Sequence, residues 1–315
     1  MFGKIVFATS GAPDCDSAAR VAFDMAGRYG SEIVVFHCLG IPGKGDSNLV
    51  LDVRTGEEVD ADEEYLEGVR EELRTTYAIQ LSACKNARIE IAVGNPSREV
   101  LRMARKEDAD LIVMGARRAG VEVGGFYRRG VIGGTHRKVA KAARCPVLTV
   151  SRPAASFWGG FSNIVFATDF SKASQSAFKL AQSITRDVDG ELHLFHCLDL
   201  DRLQSPIALT QEGIEGRLAD ARRRIQVEYA AKLGDLAKRA SIEVWEGSPY
   251  VEIVKFARER QADLIVMAHH TRNVDPDEGP DERPFGSTLE QVLVRATCPV
   301  ISVNRPDKLP EASEA

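Results

Sequence analysis

Residues 4–10, "KIVFATS", return at 163–169 as "NIVFATD", so the chain reads as two copies of one unit. "VVFHCL" at 34–39 returns as "HLFHCL" at 193–198, and both pairs are displaced by 159 residues. Later pairs are displaced by 153: "VGNP" at 93–96 with "EGSP" at 246–249, "ADLIVMG" at 109–115 with "ADLIVMA" at 262–268, "CPVLTVSRP" at 145–153 with "CPVISVNRP" at 298–306. The second copy is therefore six residues shorter between about 40 and 90.

Within each copy, short β-branched runs alternate with longer helical patterns, the mark of parallel strands joined by crossover helices. Strands are predicted at 4–9, 32–38, 88–93, 110–114 and 146–150, and helices at about 15–29, 60–85, 96–107 and 134–143, with counterparts in copy two. In "SPYVEIVKFARERQ", Pro249 starts a helix and Val251, Val254, Ala257 and Arg258 follow i, i+3, i+6, i+7 spacing. The Pro, Gly and Ser of "RPAASFWGGF" make a linker at 152–161, between a first domain at 1–151 and a second at 162–304. The tail, 305–315, has the composition of a disordered segment.

A length of 315 residues is ample for two cores. With 44% hydrophobic and 28% charged residues the composition is that of an ordinary globular protein, and a net charge of −5 supplies no general attraction to nucleic acid or anionic membrane. No apolar run approaches a membrane span and the N-terminus lacks a signal-peptide pattern, so a cytoplasmic location is expected. The six cysteines form neither a C-x-x-C pair nor a zinc-type cluster, so no metal is expected.

The order "VFATDFSKAS", "LFHCLDL", "EGSPYVEIVKFARERQADLIVM", "FGSTLEQVLVRATCPVISV" resembles the universal stress protein family in a tandem two-domain form. The resemblance implies an α/β fold: two Rossmann-like domains, each a five-stranded parallel sheet of order 3-2-1-4-5 flanked by helices. It also implies pairing of the copies through their last strands, an internal pseudo-dimer that leaves room for a homodimer. The loop "SGAPDC" at 10–15 comes near the pyrophosphate loop of adenylating enzymes, but Ala12 and Cys15 break that motif. Copy two carries "DFSKAS" there, so the segment reads as the family's first turn with Ser10 in place of Asp169.

In nucleotide-binding members of the family, ATP lies beyond the carboxyl ends of strands one and four, with its phosphates in G-x2-G-x9-G-(S/T). Neither copy has that pattern whole. Copy one keeps Met114 and Gly115, has Arg118 at the second glycine, and then Gly133, Gly134 and Thr135. Copy two has Ala268 and Thr271 at the two glycines but keeps Gly286, Ser287, Thr288 and Asp169. In each copy 18 positions separate the first and third motif positions, so the loop is five residues longer than the family's. Residues 115–133 sum to +3, Arg117 and Arg118 among them, and 268–286 sum to −3, so phosphate should prefer copy one.

The resemblance thus implies an adenosine wall of Ala8, Ser10 and Cys38 in copy one, with Met114, Gly115, Arg117, Arg118, Gly133, Gly134 and Thr135 around the phosphates. The matching set in copy two, read as degenerate, is Asp169, Cys197, Met267, Gly286, Ser287 and Thr288. Magnesium would accompany a bound triphosphate. His37-Cys38 and His196-Cys197 point to opposite faces of their strands and cannot readily chelate one ion. His269-His270 reads as loop surface, and Arg222-Arg223-Arg224 as a solvated helix face rather than a nucleic-acid contact. No nucleophile, base and acid constellation is visible. The function expected is a stress-response regulatory module that binds ATP or another adenine nucleotide, and not an enzyme. The alternatives are an adaptor that binds a regulatory protein without nucleotide, and a weak ATPase or adenylating enzyme.

Overall fold

The computed structural model describes residues 1–40, 49–51, 57–115, 133–151, 161–200, 210–269 and 287–304. Met1–Val150 forms one compact unit and Ser151–Leu309 a second.

In the first unit β1 (Lys4–Thr9), β2 (Glu32–Gly40), β5 (Ala87–Gly94), β6 (Leu111–Gly115) and β7 (Val147–Val150) form a parallel sheet of order β5-β2-β1-β6-β7. That is the expected 3-2-1-4-5 order. A short antiparallel hairpin, β3 (Leu49–Leu51) with β4 (Glu58–Asp60), was not legible in the sequence. The helices are α1 (Asp16–Tyr29), α2 (Glu63–Thr76), α3 (Ala78–Ala83), α4 (Pro96–Lys106) and α5 (Gly134–Ala142). Ile5, Val6, Phe7, Leu111, Ile112 and Val113 are fully buried, because a parallel strand between two helical layers has no solvent face.

The pleat divides the core. Val6, Ala8, Val34, Phe36, Ile112 and Met114 pack under Val100, Met103 and Ala104 of α4 and Val139 of α5. On the opposite face Phe7 meets the edge of Tyr77, centroids 5.6 Å apart. Tyr77 also explains why the single helix predicted at 60–85 is two helices: its hydroxyl lies 2.5 Å from Thr9 Oγ1, and turning that buried ring inward breaks the helix between α2 and α3.

The second unit repeats the plan with β8 (Asn163–Ala167), β9 (Glu191–Asp199), β10 (Ala240–Gly247), β11 (Leu264–Ala268) and β12 (Val300–Val303) in the order β10-β9-β8-β11-β12. Its helices are α6 (Lys172–Val188), α7 (Gln211–Glu228), α8 (Pro249–Glu259) and α9 (Ser287–Arg295). The aspartate of each "ADLIVM" segment ties the starts of strands one and four together. Asp110 Oδ2 accepts from the Gly3 and Lys4 amides, and Asp263 Oδ2 from the Ser162 and Asn163 amides and the Ser162 hydroxyl. On α8 the stripe runs through Ile253, Phe256 and Ala257 with Val254 at its edge, whereas Val251 is 41% exposed and Arg258 is exposed. The predicted helix is present, and of the four residues that carried its spacing Val254 and Ala257 are buried, while i, i+3, i+4 spacing anchored on Ile253 places Val251 and Arg258 off the buried face. Among the described residues no helix is long and apolar enough to cross a membrane.

Candidate functional site

Of the sequence-predicted residues of copy one, Ala8, Ser10, Cys38, Met114 and Gly115 lie at the carboxyl ends of β1, β2 and β6, where open α/β sheets bind ligands. Ala8 and Met114 are buried and Cys38 half-buried, and all three belong to the cluster beneath α4 and α5, forming an apolar floor. Cys38 Sγ lies 3.6 Å from the Gly94 carbonyl oxygen, and burial, with Glu99 nearby, pushes its thiol up to about 12. Cys197 matches it, 3.6 Å from the Gly247 carbonyl oxygen, and burial pushes it to about 12 as well. Such thiols stay protonated at neutral pH and are walls rather than nucleophiles.

The turn after β1 differs between copies. Asp169 Oδ1 accepts from the Ser171 amide at 3.0 Å and the Ser174 hydroxyl at 2.6 Å, so this carboxylate braces the start of α6. Ser10 makes the weaker version, its Oγ 3.4 Å from Cys15 Sγ and 3.5 Å from the Ala12 amide. A Cβ on Gly115 would come within 3.3 Å of the Asp14 carbonyl oxygen and of Cys15 Sγ, so glycine here lets the first turn press against the end of β6.

Helix α5 begins without a side-chain cap at Gly133, and a Cβ on Gly133 or Gly134 would meet nothing within 4 Å. The first amides of a helix point outward without an internal partner, so this bare, uncapped start can take an anion. Arg137, Lys138 and Lys141 follow on α5 with no acidic residue, whereas α9 carries Glu290 and Arg295. Thr135 is half-buried beside that start. Arg117, Arg118 and Gly286 lie outside the described residues, as does the side chain of Ser287. In copy two Met267 is buried and Thr288 half-buried on α9.

His37 and His196 take equivalent places. Nδ1 of each donates to a main-chain carbonyl, that of Thr9 at 2.9 Å and that of Thr168 at 2.8 Å. Among the described residues no group of three or more His, Cys, Asp or Glu could hold a metal ion.

Two features escaped the sequence reading. His136, where copy two has Leu289, is buried with Nε2 2.6 Å from Thr149 Oγ1 and with no partner for Nδ1 among the described residues; burial lowers its pKa to about 4. Gly11, where copy two has Phe170, adjoins a cavity. Aligning the copies residue by residue exposes both contrasts.

Comparison with known proteins bears on the fold and the repeat. The profile of the universal stress protein family matches residues 1–151 and again 160–304. A universal stress protein of Methanocaldococcus jannaschii is 30% identical over 152 residues, 47% of this chain and 85% of that protein. The crystal structure of a universal stress protein from Archaeoglobus fulgidus superposes with a TM-score of 0.69 at 18% identity, covering 96% of this chain and 98% of that one. A Pseudomonas aeruginosa protein described as functionally unknown gives 0.61 at 18% identity over 97% and 94% of the two chains.

Proposed function

The chain belongs to the universal stress protein family, and from that premise we propose that it is a cytoplasmic stress-response regulatory module whose first copy binds ATP or another adenine nucleotide. One observation carries the reading: the bare, uncapped, basic start of α5 stands at the strand ends where Ala8, Cys38 and Met114 form an apolar floor. The base would lie on that floor, the phosphates at Gly133, Gly134 and Thr135, and Arg117 and Arg118 would supply charge, with magnesium accompanying a triphosphate. Copy two is the poorer site, because Asp169 is engaged in its own turn and the acidic 268–286 segment repels phosphate.

Calorimetry tests this directly. Changing Arg117 and Arg118 to Glu should weaken ATP binding more than tenfold, about 1.4 kcal/mol. An unchanged dissociation constant rejects the assignment, as does a crystal grown with ATP and magnesium that shows nucleotide only in copy two.

A second reading rests on the turn itself. Asp169 and the space beside Gly115 are both occupied by the chain's own groups, which favours an adaptor that binds a regulatory protein without nucleotide. Mass spectrometry of small molecules released from the purified protein separates the two. The family reading also keeps pairing of the copies through "CPVLTV" and "CPVISV" as an expectation. Cleavage in the linker followed by chromatography checks it: fragments that elute apart reject it.

A further inference from the structure

Copy one contains a cavity of about 630 Å³ that shares only Ser10 with the residues of the nucleotide reading. Its walls are the first turn (Ser10 to Pro13), His37 and Leu39 of β2, and Tyr65, Val69 and Leu73 of α2, with the exposed Glu72 and Thr76 also lining it. His37 and Leu39 flank Cys38 along β2, so the pleat sends them to the other face of the sheet from Cys38 and the floor it shares with Ala8 and Met114.

Copy two shows what such a space accommodates. Its scaffold is the same: Thr168 Oγ1 lies 2.8 Å from Tyr229 OH, as Thr9 Oγ1 does from Tyr77 OH at 2.5 Å, and each histidine donates to the matched carbonyl. The Phe170 amide donates to Thr168 Oγ1 and the Gly11 amide to Thr9 Oγ1, with φ of 62° and 72°. The Phe170 ring fills this position, its centroid 4.5 Å from the His196 ring and 6.2 Å from Tyr229, with the Arg224 guanidinium 4.2 Å over its face. In copy one the shelf is built and the ring is missing.

The charge over that ring is reversed as well. Arg224 stands five residues before Tyr229, and the residue five before Tyr77 is Glu72. Because a carbonyl only accepts, His37 Nδ1 carries the proton and Nε2 is an acceptor. Among the described lining residues there is no lysine or arginine, so these walls offer phosphate no counter-charge. We propose that this cavity binds a small molecule whose planar aromatic ring takes the place of the Phe170 ring and whose protonated or N–H-bearing nitrogen meets Glu72.

The test uses 2-phenylethylamine as the cationic probe and phenylacetate as its anionic counterpart, titrated into the full chain and followed by NMR. A ligand of this size in a preformed cavity should bind with Kd of ~1 mM, and phenylacetate at least tenfold more weakly. Gly11→Phe, which supplies the ring as copy two does, should remove binding. Glu72→Arg, a change at an exposed position, should in the folded variant reverse the preference toward phenylacetate. Absence of saturable 2-phenylethylamine binding overturns the proposal, as does unaltered affinity in folded Gly11→Phe or in Glu72→Arg. Saturating ATP should leave the amine's affinity unchanged, and displacement by ATP would refute a site separate from the nucleotide floor, whatever the outcome of the Arg117 and Arg118 test.

Discussion

Between pH 6.5 and pH 4 the first unit should lose about 3 kcal/mol that a His136→Leu, Thr149→Val variant keeps. His136 is buried against Thr149, and burial alone holds its pKa near 4, against 6.5 for an ordinary histidine. The sign follows from the folded value lying below the unfolded one. Above pH 6.5 neither state is protonated and the group contributes nothing to the pH dependence. As pH falls from 6.5 toward 4, the unfolded chain gains a proton that the native state refuses, and unfolding is favoured. Below about pH 4 both states are protonated and the loss levels off.

The double variant is chosen because it removes both partners of a buried hydrogen bond, which costs far less than orphaning one of them. Leu289 already occupies the matching place on α9 and is buried there. Carboxylates titrate in the same range in both proteins, so the quantity to measure is the difference in urea midpoint between them at pH 7 and at pH 4. A constant difference across that range would show that His136 is not the acid-sensitive group.

The repeat made the two-unit organisation legible, because displaced matches such as "ADLIVMG" and "ADLIVMA" fix two copies, while the β-branched runs marked the strands and the family resemblance implied their order. Elements shaped by one tertiary contact were not legible. Tyr77 ends α2 because its hydroxyl reaches Thr9 across 68 positions, and no local pattern records that reach. The hairpin of β3 and β4 has three-residue strands, too short for alternation to register. At the site, the family motif includes the position of Ser10 and Asp169 but not the next one. Gly11 against Phe170 is silent as a motif, since neither residue carries family chemistry, yet it decides whether the pocket beside His37 is open or filled. His136 belongs to no motif either. Its pKa depends on burial between α5 and β7, which sequence does not supply.

Phe256→Ala should destabilise the second unit by about 4 kcal/mol, since truncating a fully buried phenylalanine removes its transfer energy and leaves a cavity. Phe256 has no exposed surface. Its ring stacks on Phe195 with centroids 4.5 Å apart, meets the edge of Trp245 at 5.3 Å and the edge of His193 at 6.1 Å, and has the Arg260 guanidinium 5.3 Å over it. Four partners lose contact at once, and rigid aromatic neighbours close poorly over the hole. The first unit supplies the control. There the matched residue is Met103, packed with Phe36 and with Ala92 where copy two has Trp245. Met103→Ala should cost about 2 kcal/mol, because it removes a smaller side chain and flexible neighbours can move into the gap. Hydrogen exchange read separately on β9 and β2 assigns each loss to its own unit. Equal costs in the two variants, or protection lost on β2 when Phe256 is truncated, would mean that the aromatic cluster is not what holds α8 on the second sheet.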